Sequence, residues 1–535
     1  MSKNYKGGNI KKSKTPLNKS EEHKNTEEYK LKIQNNSYLG NKGYTIIKAY
    51  LDPIDLQFLY KDLVLVPFVE GGCNTTSPPV MIPVYRENAK KIYIPRFYGI
   101  DRYGYPVKSE LGEKIERIDV TFTKPLRDYQ ETVVNMYMDH IQNKNIPHKF
   151  GGGGILSLYT GAGKTVCAIK IISLIGLKTL IIVHKEFLLN QWTERIMEFM
   201  PNAKIGRIQG SKMDVENKDI VIAMMQTLYN EEKTFSMDTF GLCIVDEVHR
   251  IASVQYHKAL FQFQTLYYLG ISATVERKDT MDKLLYMFLG KIIYSMERKG
   301  DDVVSVRGIE YISKDDEYND VILDYKGDIL YSSMVSKVCQ FKPRSDFIIR
   351  VLKDLIQESP YSQILVLGHL RAILEYLYEK LLQENISTGF YVGKMKQFEL
   401  DETALTKQIV LSTYMMSSEA LDIPTLSTLV FISPKTDIIQ CVGRILRKKH
   451  EKTIIVDIID PHTVFQNQWN KRRIYYKKCN YQIQHTNTLK YQNMLEMTNT
   501  NIWKTLYNGV LKTENNETND KYKCIIDCSE FNTAV

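Results

Sequence analysis

The spacing of hydrophobic positions changes repeatedly along the chain, and each change predicts a different element. Residues 1–40 carry Lys, Asn, Glu and Ser with almost no apolar pattern, and Lys11-Lys-Ser-Lys14 is a basic run. This composition predicts a disordered basic arm, serving either as a nucleic-acid or partner-binding tail or as a solubilising terminus. Over 41–118 short apolar runs return, such as Leu63-Val-Leu-Val-Pro-Phe68 and Lys91-Ile-Tyr-Ile-Pro95. Turn residues break them, as in Gly71-Gly-Cys-Asn-Thr-Thr-Ser-Pro-Pro79. Short runs between such turns predict a small strand-containing domain.

Residues 119–297 read differently. Leu156-Ser-Leu-Tyr159 leads into a glycine-rich loop, and 166–175 has apolar positions spaced for one helix face. Thr179-Leu-Ile-Ile-Val183, Asp219-Ile-Val-Ile-Ala223, Leu242-Cys-Ile-Val245 and the shorter Tyr268-Leu-Gly-Ile271 are uninterrupted apolar runs. Such runs alternating with helical stretches predict a buried parallel sheet. Residues 298–329 carry several Asp, Glu and Lys and no strong pattern, which predicts a linker or insert.

A second alternating unit spans 330–475. Residues 345–356 and 372–382 predict helices. Gln363-Ile-Leu-Val-Leu-Gly368, Gln408-Ile-Val-Leu-Ser412, Thr428-Leu-Val-Phe431 and Lys452-Thr-Ile-Ile-Val-Asp457 predict strands. The chain thus repeats an architecture rather than a sequence. Residues 476–535 form a C-terminal extension in which Trp503, Leu506 and Leu511 suggest one more short packed element.

Composition narrows the class. At 535 residues, 43% hydrophobic and 25% charged, the chain suits two to four globular domains. No uncharged apolar stretch reaches membrane-helix length, and the polar, basic start lacks the core of a secretory signal. A net charge of +9 suits a polyanionic partner but also an ordinary solvated surface. Eight cysteines over this length make no disulfide framework. Cys167, Cys243 and Cys441 are expected buried and reduced, and Cys524 with Cys528 lacks the second pair a zinc site needs.

Candidate chemistry lies at three places. Leu158-Tyr-Thr-Gly-Ala-Gly-Lys-Thr165 follows an apolar strand and opens a helix. Gly161, Ala162 and Gly163 let backbone N–H groups face phosphates, and the helix start adds a favourable dipole. Lys164 is placed for the β- and γ-phosphates and Thr165 for Mg²⁺. Position 158 is Leu where the phosphate-loop consensus has its first glycine.

Asp246 and Glu247 end an apolar run, where one carboxylate can hold Mg²⁺ and the next can orient a water. On its own this pair is equally a turn. His249 follows, with a coupling or a structural role open to it. Arg444 and Arg447 lie three apart on a predicted helix, with Gln440 one turn earlier. They are suited to neutralising a transferring phosphoryl group, and equally to a solvated basic helix continuing into Lys448-Lys449-His450.

In this order the motifs resemble those of superfamily 2 helicases and translocases, over roughly 119–475. Leu126-Arg-Asp-Tyr-Gln130 is similar to the family's adenine-contacting segment, which implicates Arg127 and Gln130. Ile182 to Trp192 resembles the first nucleic-acid motif, and Asp219 to Leu228 the next. Asp246-Glu-Val-His249 resembles motif II, Ser272-Ala-Thr274 motif III, and Gln440 to Arg447 motif VI. Thr413 and Glu419-Ala-Leu-Asp-Ile-Pro424 resemble motif V, with Asp422 as its acid.

Leu269-Gly-Ile-Ser-Ala-Thr-Val-Glu-Arg-Lys-Asp279 is similar to the branch related to the eukaryotic transcription and repair DNA-opening helicase. Ile94-Pro-Arg-Phe-Tyr-Gly99 looks like the helicases of large nucleocytoplasmic DNA viruses, with poxvirus-type transcript-release helicases nearest. Val275 replaces the usual proline after motif III and Ala420 the motif V glycine, which bears on strand separation more than on hydrolysis.

The resemblance implies an α/β fold of two tandem RecA-like domains with a small N-terminal accessory domain. It implies ATP and Mg²⁺ as cofactors and nucleic acid as partner, DNA first, with a DNA/RNA hybrid or RNA as alternatives. The expected activity is nucleic-acid-stimulated ATP hydrolysis driving 3′ to 5′ movement. The expected task is viral transcription, as a monomer, in the virion and the host cytoplasm, beside a viral RNA polymerase. Repair or recombination is the second task. A nucleotide-gated binding module that does not move is the rival from another class.

Coupling falls to His249, Ser272, Thr274 and Asp422, and strand contacts to Lys185, Gln226, Thr227, Thr413 and Ser417. The accessory domain, 41–118, is expected to choose substrate through exposed Lys90, Lys91, Tyr93, Arg96, Phe97 and Tyr98, or else only to brace the first lobe.

Overall fold

The computed structural model describes residues 26–66, 81–143, 148–228, 238–250, 260–261, 264–273, 281–297, 303–419, 421, 423–448, 450, 452–491 and 502–509. The chain divides into two units: residues 1–156 with 165–294, and residues 157–164 with 295–535. Each is built on an eight-stranded sheet with helices packed against it, the α/β plan expected of tandem RecA-like domains.

In the first unit the strand order is Lys212–Met213, Ile205–Gln209, Ile220–Met224, Thr179–Val183, Leu242–Asp246, Tyr267–Ser272, Gly152–Leu158, Ile292–Met296. The pairings from Ile205–Gln209 to Tyr267–Ser272 are parallel, and the Lys212–Met213 edge is antiparallel to its neighbour. Burial follows position. Thr179–Val183 and Leu242–Asp246, inside the sheet, are buried at every residue. Ile205–Gln209, one from the edge, alternates between buried and half-buried. That is why the interior strands read as unbroken apolar runs.

The accessory region forms its own five-stranded sheet, ordered Arg86–Glu87, Lys91–Ile94, Gly43–Ile47, Ser37–Gly40, Lys108–Ser109. It shares one continuous hydrophobic core with the first lobe, running from Ile33 and Tyr44 to Leu285 and Phe288. The helix Arg96–Tyr103 packs on the helix Asp282–Leu289. Lys283 pairs with Asp62 at 2.9 Å, and the Tyr98 hydroxyl donates to the same carboxylate at 2.8 Å.

This corrects the expected exposed grip. Arg96 is 1% exposed, and its guanidinium donates to the carbonyls of Thr265 (3.0 Å), Leu266 (3.1 Å) and Phe150. Tyr93 is buried, and Phe97 and Tyr98 are half-buried. Lys90 alone of the six is exposed, and Lys91 lies over the Tyr38 ring. The apolar surroundings that bury these rings also take in the arginine stem, and the carbonyls accept from its two terminal nitrogens.

The second unit's sheet runs Thr388–Tyr391, Ile409–Thr413, Gln363–Gly368, Leu426–Phe431, Thr453–Ile459, Val304–Glu310, Gln482–Asn487, Lys504–Tyr507. All pairings are parallel except the last.

Three boundaries shift. The expected arm over 1–40 contains the helix Glu27–Asn35 and the strand Ser37–Gly40. Tyr29 and Ile33, four apart, are buried there, and Tyr29 donates to Asp55 at 3.0 Å. The expected linker holds a central strand, Val304–Glu310, whose Arg307 is neutralised by Glu358 at 2.5 Å. The expected C-terminal extension supplies two further strands of the same sheet, with Trp503 buried beside the last. Residues 1–25, Leu511, Cys524 and Cys528 lie outside the described residues, as does the linker's start at 298–302. Cys167, Cys243 and Cys441 are buried free thiols, as expected. Among the described residues no helix is long and apolar enough to cross a membrane.

Candidate functional site

The strand Gly152–Leu158 runs into a loop and then the helix Lys164–Ile175. Gly161 has φ +94° and Gly163 φ +80°, a region where a side chain is strained, so glycine sets the shape of this loop. A loop of this shape entering a helix presents backbone N–H groups to an anion. Ala162 is buried, and Gly163, Lys164 and Thr165 are half-buried. The loop belongs with the second unit, where a Cβ at Gly443 would stand 2.8 Å from Thr160 and one at Gly161 would stand 3.9 Å from Arg447.

At the end of Leu242–Asp246 the acids separate. Asp246 is 7% exposed, and one oxygen accepts from the Trp192 indole N–H at 2.8 Å while the other accepts from the Glu247 N–H at 2.9 Å. Glu247 sits at φ +49°, a strained conformation for a side-chain-bearing residue, and its side chain is 21% exposed. Strain of this kind persists where surroundings over-determine it, often at working sites.

The one-turn helix Val248–Arg250 then brings His249 Nδ1 to 2.9 Å from Ser272 Oγ and 3.4 Å from Glu247 Oε2. Ser272 donates to that same Glu247 oxygen at 3.3 Å. Ser272 can meet Glu247 because Leu242–Asp246 and Tyr267–Ser272 are parallel neighbours with Asp246 opposite Ile271.

A basic edge adjoins this cluster. Burial first, and then the charge of Arg250, hold the His184 imidazole down at about 4, so this ring is neutral near pH 7. Burial and Arg250 also lower Lys185. Gln226, exposed, donates to the His184 carbonyl at 2.8 Å and so ties the two expected strand-contact segments together. Thr227 is buried, with its hydroxyl accepting from the Gly210 N–H at 3.0 Å. Gln130 is buried, and its side-chain oxygen accepts from the Arg127 N–H at 3.0 Å. The exposed Arg127 guanidinium donates to Tyr129.

In the second unit Arg444 is 7% exposed and donates to the Leu421 carbonyl at 3.0 Å; Arg447 and Gln440 are half-buried. Both arginines act electrostatically on Tyr391, whose hydroxyl burial pushes up. Thr413 is half-buried at its strand end, and Ser417 is buried beside Cys441. Thr274, Val275, Ala420, Asp422 and Lys449 lie outside the described residues.

The first unit therefore brings together Asp246, Glu247, His249 and Ser272, with Lys185 and Gln226 on a neighbouring edge. Thr165, Arg127 and Gln130 belong to that unit as well. Residues 161–164, Thr413, Ser417, Gln440, Arg444 and Arg447 belong to the second unit. Asp246 and Thr165 offer the hard oxygen donors that Mg²⁺ takes beside phosphate, so the residues present fit that ion. Sequence reasoning missed Trp192 and Arg250 as parts of the site. Arg250 was legible as the residue after His249; Trp192 closes the Ile182–Trp192 segment that resembles the first nucleic-acid motif, but nothing local directs it to Asp246.

Residues 123–277 match the family model described as the res subunit of type III restriction enzymes. The chain is 32% identical over 461 residues to a protein of Acanthamoeba polyphaga mimivirus named as an ATP-dependent RNA helicase, covering 83% of this chain and 85% of that one. A protein of African swine fever virus with the same kind of name is 27% identical, covering 66% of this chain and 73% of its own length. One from invertebrate iridescent virus 6, named as a helicase, is 27% identical over 69% and 84%.

Proposed function

The chain belongs to the superfamily 2 helicases, ATP-hydrolysing enzymes stimulated by nucleic acid, and on that premise we propose that it is a DNA translocase of viral transcription. In this reading it moves 3′ to 5′ as a monomer and releases transcripts or remodels elongation complexes, the task implied by the sequence resemblance to poxvirus-type helicases, while the relatives named above come from other large DNA viruses. It works beside a viral RNA polymerase, in the virion and the host cytoplasm.

The observation that carries the reading is the hydrogen-bonded cluster of Glu247, Ser272 and His249 at the carboxyl ends of two adjacent parallel strands. Ligands of open α/β sheets bind at such strand ends. The cluster joins the carboxylate that orients the attacking water to the segment that couples hydrolysis to movement. Mg²⁺ would supply charge neutralisation at the phosphates, held by Thr165 and Asp246. Lys164 and the N–H groups of 161–163 bind phosphate, and Gln130 and Arg127 bind the adenine. Arg444 and Arg447, with Gln440, neutralise charge as the phosphoryl group passes from ADP to water. His249, Ser272, Thr274 and Asp422 carry the coupling.

Of the strand contacts, Lys185, Gln226 and Thr413 touch backbone directly. Thr227 and Ser417, being buried, shape the backbone that does so. Tenfold or greater stimulation of ATP hydrolysis by single-stranded DNA over RNA of equal length is the expected result. The reverse preference would favour the RNA reading that the names of the mimivirus and swine fever relatives suggest. Strand displacement measured beside streptavidin displacement separates helicase from translocase, and failure of both leaves the nucleotide-gated binding module. Co-purification with RNA polymerase separates transcription from the second task, repair or recombination.

A further inference from the structure

Trp192 lies inside the helix Glu186–Phe199 and is 1% exposed. A buried indole N–H must find an acceptor. Many backbone carbonyls would serve, yet this one donates to Asp246, 54 positions away, at 2.8 Å. Asp246 is itself buried, so the directions of its lone pairs are set by its donors rather than by water. The Glu247 N–H fixes one oxygen and the indole fixes the other. The helix that carries Trp192 begins directly after Lys185, on the basic edge with Arg250 and Gln226. One rigid element therefore has its start at the proposed strand contact and, two turns on, a side chain on the carboxylate.

We infer that Trp192 is a positioning residue that aims Asp246 at Mg²⁺ and ties that carboxylate to the helix starting at the nucleic-acid edge. The inference rests on the reading of Asp246 as the metal-holding acid. Groups that orient a metal-bound carboxylate change metal affinity by about tenfold or more when removed. A ring that merely fills core space would leave metal affinity alone.

The test is equilibrium binding of a fluorescent ADP to the full chain, titrated with Mg²⁺, for wild type, W192F and D246N. Phenylalanine keeps most of the ring volume and removes the N–H. The Mg²⁺ midpoint is expected to rise about tenfold in W192F, with nucleotide binding in the absence of Mg²⁺ unchanged. In D246N, adding W192F is expected to shift the midpoint no further. A W192F midpoint equal to wild type, where D246N moves it, overturns the inference and leaves the Asp246 reading standing. A midpoint unmoved by D246N overturns both.

If W192F does not fold, the wild-type indole N–H resonance decides. Assigned by difference against W469F and W503F, the Trp192 signal is expected to shift when Mg²⁺ is added to the ADP complex. An unmoved signal overturns the inference.

Discussion

Both sheets end a fully buried central strand in acids, and the two ends do opposite things. Leu242–Asp246 leads into Glu247, while Thr453–Ile459 contains Asp457 and leads into Asp460. Asp460 is clasped by Arg344 at 2.5 and 2.9 Å and takes the Tyr318 hydroxyl at 2.6 Å. Asp457 is clasped by Arg472 at 2.7 and 2.8 Å. Both are sealed from solvent. Asp246 instead takes neutral N–H donors from Trp192 and Glu247, and Glu247 opens to solvent on a strained backbone. An acid after an apolar strand is thus a weak signal by itself. A bidentate guanidinium in a sealed core makes it structural. Oriented N–H donors and a route to solvent leave it able to meet a cation.

The largest effect separates the two ends by activity. Glu247→Gln should retain nucleotide binding while turnover falls about a thousandfold, the scale of a lost positioned base, and Lys164→Ala should abolish turnover. Steady-state ATPase with a binding assay checks both, and turnover surviving both changes would remove this end of the comparison. At the sealed end the expected effect is on stability. Arg344→Met leaves Asp460 buried without its partner and should cost about 3–5 kcal/mol, read from denaturant unfolding.

The accessory domain supplies a third kind of buried charge. Among the described residues no carboxylate pairs with Arg96; carbonyls and the Phe97 and Tyr268 rings surround it, and burial lowers its pKa. Arg96→Met should cost about 2–3 kcal/mol, the scale of hydrogen bonds to a charged group, while leaving nucleic-acid affinity within twofold. A loss of affinity without loss of stability would restore the gripping role.

The smallest effect is a pH dependence. Burial raises the Glu358 carboxyl, but Arg307 and then Lys452 outweigh it and hold the group down at about 2. Its folded pKa lies below the unfolded value of about 4.3. The contribution is therefore present above that value and lost as pH falls toward 2. Glu358→Gln should flatten the acid limb of the stability profile over that window.

The sequence alone settled whatever depends on runs and local spacing. Interior parallel strands such as Thr179–Val183 and Gln363–Gly368 are legible because both faces are buried, so the positions after their polar first residues are apolar or glycine. The glycine loop and the Asp246–Glu247 pair are legible because their chemistry needs neighbouring residues. The tertiary structure decided what depends on distant partners. Val304–Glu310 reads as linker until Glu358, 51 positions on, neutralises Arg307 inside the sheet. Arg96 reads as surface until carbonyls from two other segments receive it. Trp192 reads as the end of a nucleic-acid motif until Asp246 arrives beneath its N–H. In each case a polar group's burial depends on a donor or acceptor that only the folded chain brings within hydrogen-bond distance.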